Sequence, residues 1–208
     1  MAYPWSPNST WVDGSGGGTP VSAARLNNLE AGVKAAAAQG VSSTPPGSPV
    51  DGMIWRLPAS AGSGVYWFFI YDSSQATNKW VFMGGPPLSG EVVTQETTTS
   101  TTYAALATAG PSVVIPRSGD YEITTAMYGR HSVSGGQVFM SYDIGGTGAV
   151  DADAVQVDEA TAGNGVHVCR FRVKALTAVT LTSKYKLITA GTATFKDRSI
   201  KALPIRII

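Results

Sequence analysis

Two histidines, one cysteine and fourteen acidic residues are the groups in this chain best suited to chemistry. His131 and His167 sit in strand-like contexts without HxH, HxxxH or HExxH spacing. A zinc site needs three or four converging nitrogen or sulfur ligands, which this inventory barely supplies. A ring of one histidine around a threefold axis is another route to a metal, but nothing else in the sequence asks for it. Cys169 falls in the middle of an alternating stretch on its apolar side, the place of a small core residue, and there is no GxSxG elbow. Gly145-Gly146-Thr147-Gly148 shares letters with a phosphate loop but lacks the Lys-Ser or Lys-Thr and the following helix, so it reads as a turn. Asp151 and Asp153 are alternate carboxylates in a Gly-rich loop, which suits calcium; the plainer reading is a solvated loop. No two carboxylates can be placed facing each other for glycoside hydrolysis. The expectation is no enzyme, no metal and no cofactor.

Composition narrows the classes further. The chain has 208 residues, of which 14% are charged, well below the roughly 25% usual in soluble domains. Its 43% apolar content and net charge of +1 describe a folded chain, not a disordered one. That charge gives no general attraction to nucleic acid or to an anionic membrane. A single cysteine excludes an intrachain disulfide framework. The start, Met1-Ala2-Tyr3-Pro4-Trp5, has neither the basic nor the apolar region of a signal peptide, so Asn8-Ser9-Thr10 is a chance glycosylation match. The longest apolar run, Val65 to Tyr71, is about a third of a membrane span, so no membrane insertion is expected.

The elements that would position any site fall into three segments. Residues 1–44 hold an arm and a helix. The arm, rich in Pro, Ser and Gly, ends in Gly14-Ser15-Gly16-Gly17-Gly18 and cannot form a core alone. Trp5 and Trp11 are wasted on a solvated tail, so the arm reads as an anchor ordered against a partner, the alternative being a loose terminus. Thr19 as N-cap, Pro20 at the first helical position and Gly40 as the stop bracket a helix over Val21 to Gln39. Leu26, Leu29, Val33 and Ala36 are spaced as a coiled-coil seam of two heptads, too short to be stable alone. The seam fits self-association, here a homotrimer, or packing onto the chain's own domain.

Residues 45–88 read as a small aromatic-rich β unit behind a Pro-stiffened linker, Ser42 to Pro49. The run Val65 to Tyr71 is apolar at every position and must be covered on both faces. One face is the unit's own core; the other needs a second domain, another subunit or a ligand. Trp67, Phe69 and Trp80 are the rings on which a sugar could stack, against the plainer reading of core and interface.

Residues 89–208 read as a β-sandwich or jelly roll. Expected strands are Val92–Thr98, Ser112–Ile115, Tyr121–Arg130, Gln137–Ile144, Ala154–Asp158, Val166–Ala175, Thr180–Ile188, Ala193–Phe195 and Ile200–Ile207. Cys169, Phe171 and Val173 alternate with Arg170, Arg172 and Lys174. From Glu91 to Glu159 nine acidic residues stand against Arg117 and Arg130; from Gly165 onward nine basic residues stand against Asp197. Early and late strands are therefore expected to be neighbours whose charges pair, within or between subunits. A nucleic-acid stripe is the weaker reading.

Three stretches resemble tail-fibre or minor tail proteins of tailed bacteriophages. The first is Trp11-Val12-Asp13-Gly14 with Gly18-Thr19-Pro20 and Ala24-Arg25-Leu26-Asn27-Asn28-Leu29-Glu30-Ala31-Gly32-Val33. The second runs from Asp51-Gly52 through Tyr71-Asp72 to Lys79-Trp80-Val81-Phe82-Met83-Gly84-Gly85-Pro86-Pro87-Leu88. The third spans Ala193-Thr194-Phe195-Lys196-Asp197-Arg198-Ser199-Ile200 and Pro204-Ile205-Arg206-Ile207. Within the large domain, Val113-Val114-Ile115-Pro116-Arg117-Ser118-Gly119-Asp120-Tyr121 resembles the strand–turn motif of C1q/TNF-like jelly rolls, which form trimers. The resemblances imply a structural virion protein: a short trimeric tail fibre or minor tail protein in host-surface attachment. Alternatives are a capsid (head) fibre or decoration protein and a carbohydrate-binding module. They imply a chain made in the host cytoplasm and carried in the virion. Expected partners are other virion proteins held by the arm and a host cell-surface glycan.

Overall fold

From Gly119 to His131 every odd-numbered residue is buried and every even-numbered one half-exposed. That alternation is what a strand with one face on a core requires, and this strand is the spine of the molecule. The computed structural model describes residues 23–37, 41–58 and 64–208. In chain order these form α1 (Ala23–Ala37), β1 (Ile54–Pro58), β2 (Tyr66–Tyr71), β3 (Trp80–Gly84), β4 (Leu88–Val92) and β5 (Glu96–Thr98). Then come β6 (Ser112–Ile115), β7 (Gly119–His131), β8 (Gln137–Ile144), a short 3₁₀ turn (Asp151–Asp153) and β9 (Val155–Asp158). The chain closes with β10 (Val166–Leu176), β11 (Val179–Ile188) and β12 (Ala193–Ile207).

One sheet runs β1-β2-β3-β12-β7-β10, with β4 and β5 also paired to β12; the other runs β6-β11-β8-β9. From β4 onward the partners nest from the outside in. β4 and β5 pair with β12, β6 with β11, β7 with β10, and β8 with β9, all antiparallel. A long antiparallel hairpin rolled so that successive pairs fall in opposite sheets is a jelly roll. The chain is therefore mainly β, with one helix among its described residues.

β12 ties the parts together. One edge lies along β7; the other is taken in turn by β5, β4 and β3. Two separately expected strands, Ala193–Phe195 and Ile200–Ile207, are one strand continued through a bulge between Lys196 and Ser199, where Asp197 has φ 48. An extra residue in a bulge breaks the two-residue period, which is why the sequence pattern lapses there. Conversely, the expected strand Val92–Thr98 is divided between β4 and β5.

The compositional boundary near residue 88 falls inside a single sheet. Ile207 and Arg206 of β12 pair with Trp80 and Val81 of β3. Trp55, Trp67, Phe69 and Trp80 share one core with Val113, Ile115, Tyr121, Ile123 and Ile207. Two of these three indoles donate their N–H to a backbone carbonyl: Trp55 to Ser42 at 2.9 Å and Trp67 to Pro86 at 2.7 Å. The turn from β6 into β7 is closed by Tyr121, whose hydroxyl donates to the Arg117 carbonyl at 2.8 Å. Gly119 is required beside it, because a side chain there would collide with the Arg206 carbonyl and Ile207.

Candidate functional site

Several charges are spent on the fold. Lys174 pairs with Asp153 and Lys186 with Asp151, each at 2.7 Å; Arg206 pairs with Asp120 at 2.9 Å and Arg198 with Glu96 at 2.8 Å. Each joins an acid from the first half of the sandwich to a base from the second, the pairing expected from the charge asymmetry. Asp151 and Asp153 are thus each matched by an ammonium group. Hydrogen bonding to Lys186 holds the Asp151 carboxyl below its usual range. Lys186 also lies 4.9 Å from the Tyr103 ring centroid and 5.0 Å from that of Phe139.

The two histidines lie in unlike surroundings. His131 is fully buried, and its Nδ1 accepts a hydrogen bond from the Val133 N–H at 3.0 Å. Glu159, also buried, accepts from the His131 backbone N–H. His167 is exposed, 4.0 Å from Asp197. No cluster of three or more His, Cys, Asp or Glu side chains able to hold a metal exists among the described residues. No helix among them is long and apolar enough to cross a membrane.

Trp67, Phe69 and Trp80, weighed as a sugar-stacking surface against a place in the core, are core. Their relative exposures are 0%, 0% and 4%. Trp67 and Phe69 stand edge to face at 6.3 Å, and Trp80 packs edge-on against Trp55 at 5.3 Å. The reason is register. β2 and β3 extend the β12 sheet with these rings on the face that shares a core with Val113 and Ile115 of β6, where a sugar has no access. The opposite face of β2 and β3 is the open one: Phe68 and Met83 are exposed there.

β10 reverses an expectation. Its alternation is as read, but Arg170, Arg172 and Lys174 point inward. Arg170 Nη1 donates to the Ala154 carbonyl at 2.6 Å, and Arg172 Nη2 to the Ala152 carbonyl at 2.6 Å. Cys169, Phe171 and Val173 point outward, and Cys169 is a free, exposed thiol. The 3₁₀ turn before β9 presents carbonyls and Asp153 to the inner side of this edge strand, so cationic side chains are the ones satisfied there. No signal in the sequence says which side of an alternating strand faces in.

On α1, Leu29 and Val33 are exposed at 65% and 46%, and Leu26 is half-exposed. The seam is therefore open in the single chain. The side chain of Ala36, the caps at residues 19, 20 and 40, and the arm residues Trp5 and Trp11 lie outside what the structure describes.

No protein-family model matches the chain, and no curated protein sequence matches it. Among solved structures it is similar to the infectious bursal disease virus Gx strain structure, at 14% identity and TM-score 0.40, covering 72% of this chain and 40% of that one. It is also similar to the C-terminal CBM6 of LamC, a marine laminarinase from Zobellia galactanivorans, at 13% identity and TM-score 0.29, covering 56% of this chain and 99% of that one. A third, a carbohydrate-binding module from Cellvibrio mixtus lichenase 5A, has 19% identity and TM-score 0.26, covering 53% and 85%. The chain thus spans well under half the length of the viral structure. Likenesses this distant say nothing of function.

Proposed function

We propose that this chain is a structural protein of a tailed-phage particle that works by assembly and contact, without catalysis. It acts as a homotrimeric tail fibre or minor tail protein, anchored to other virion proteins through its N-terminal arm. The jelly roll projects outward toward the host surface. The observation that carries this reading is the open seam of α1: a short helix with Leu29 and Val33 in solvent is a poor monomer element and a good oligomer element. The three stretches that resemble tail proteins, which include that helix, supply the particle. Joining the helix to a self-associating β domain strengthens both contacts, because each holds the other at high effective concentration.

Attachment through a glycan belongs to the same proposal, but not through Trp67, Phe69 or Trp80, which are buried. The test is gold-labelled antibody on intact particles viewed by electron microscopy. Label at the tail tip or tail side supports the reading. Label on the head instead makes the protein a capsid fibre or decoration protein, and particles without label overturn both.

A further inference from the structure

We propose that the outer face of β10, β7 and β12 is the surface by which copies of this chain meet, with Phe171 and Val173 as its apolar edge. This rests on the self-assembling reading above and names the face that carries it. Phe171 and Val173 are 67% and 59% exposed. Register fixes their surroundings: Phe171 lies beside Thr124, which lies beside Lys201, and Val173 lies beside Glu122, which lies beside Leu203. The middle of the face is flat, because Thr124 and its neighbours Ala126 and Ser199 are small. A second β surface can approach such a plane closely.

Charge identifies the occupant. The outward column of β10 from Cys169 to Ala175 carries no charge, and the charges around it come in both signs. Glu122 and Glu91 are acidic; Lys201 and Arg130 are basic. None of these four is in an ion pair among the described residues; the ion pairs on the same face, Asp120–Arg206 and Lys196–Asp197, lie toward its two ends. A patch on the rotation axis of a cyclic assembly meets the same patch of its neighbours, so it must be complementary to itself. An apolar edge flanked along the sheet by two acids and two bases meets that condition. A nucleic acid or an acidic membrane would need one sign.

The test uses the full chain. Native mass spectrometry gives the oligomeric state of the wild type, of Phe171→Glu and of Val173→Lys, with circular dichroism as the folding control. Cys169 is the only cysteine and lies on this face, so the rate at which iodoacetamide alkylates it reports coverage in the wild type on dilution. The expected result is an oligomer with a protected thiol that becomes freely reactive as the protein is diluted. Either charge substitution should weaken assembly by roughly 30-fold or more, the loss typical of a hot-spot interface residue. A wild-type oligomer whose thiol reacts at the free rate, unchanged by both substitutions, overturns this face and leaves self-assembly standing. A wild-type monomer overturns both.

Discussion

Arg198 Nη2 lies 2.8 Å from Glu96 Oε2, and the arginine side chain is wholly buried. The pair joins β12 to β5, and the guanidinium sits 5.2 Å from the Tyr185 ring centroid, reaching β11 in the other sheet. Burial there pushes the Tyr185 phenol up to about 12. Arg198→Ala leaves Glu96 as a largely buried carboxylate without its cation, and removing one partner of a buried pair costs about 3–5 kcal/mol. Urea unfolding should show that loss. The double change Arg198→Met with Glu96→Leu should recover much of it, and a double variant as weak as the single one would contradict this account.

Acid should loosen the same seam. Burial opposes the charge on Glu96, but the Thr108 N–H and then Arg198 outweigh it and hold the carboxyl below its usual range. Asp151, through Lys186, and Asp72, through Ser74 and Gln75, are lowered too. The unfolded chain therefore takes up these protons at a higher pH than the folded one. Their stabilisation is fully present above the ordinary carboxyl range near pH 4 and is lost as pH falls through it and below. Thermal unfolding followed from pH 6 downward should show the melting temperature falling in this range. Glu96→Gln should flatten part of that slope.

Trp80→Ala is expected to act on folding and not on sugar binding. Removing a buried tryptophan costs about 3–5 kcal/mol. Fluorescence of the wild type should be blue-shifted for its buried indoles and unmoved by cell-wall polysaccharides. A saturable glycan-induced change that disappears in a folded Trp80→Ala variant would return the aromatic strands to the surface.

Gly119→Ala tests the turn into β7. A methyl group there meets the Arg206 carbonyl and Ile207, and overpacking of this kind costs about 1–3 kcal/mol. Ala at Gly135, where nothing lies within 4 Å, meets no such collision. Its φ of +74 imposes only backbone strain. The comparison of the two by denaturant midpoint separates packing from conformation.

Much of the β architecture was legible because turn residues bracket clean alternation. β6 and β8 have the boundaries read from Ser112–Ile115 and Gln137–Ile144. The charge halves foretold which strands are neighbours, since Glu96, Asp120, Asp151 and Asp153 meet Arg198, Arg206, Lys186 and Lys174. What stayed hidden depends on tertiary context. A two-residue period shows that β10 has two unlike sides, but only the carbonyls of Ala152 and Ala154 decide that the arginines turn inward. The burial of Arg198 is set by the bulge beside it, which no periodicity announces. Trp67 and Trp80 stay open to either reading, core or sugar platform, because β6, which shares their core, lies far along the chain.

Self-assembly carries the proposed function, and native mass spectrometry of the full chain tests it most directly. A mass of three chains that persists at micromolar concentration is the predicted result. A single-chain mass at every concentration would contradict it: the α1 seam and the Phe171 face would then be surfaces for some other protein, and the homotrimeric appendage would be lost.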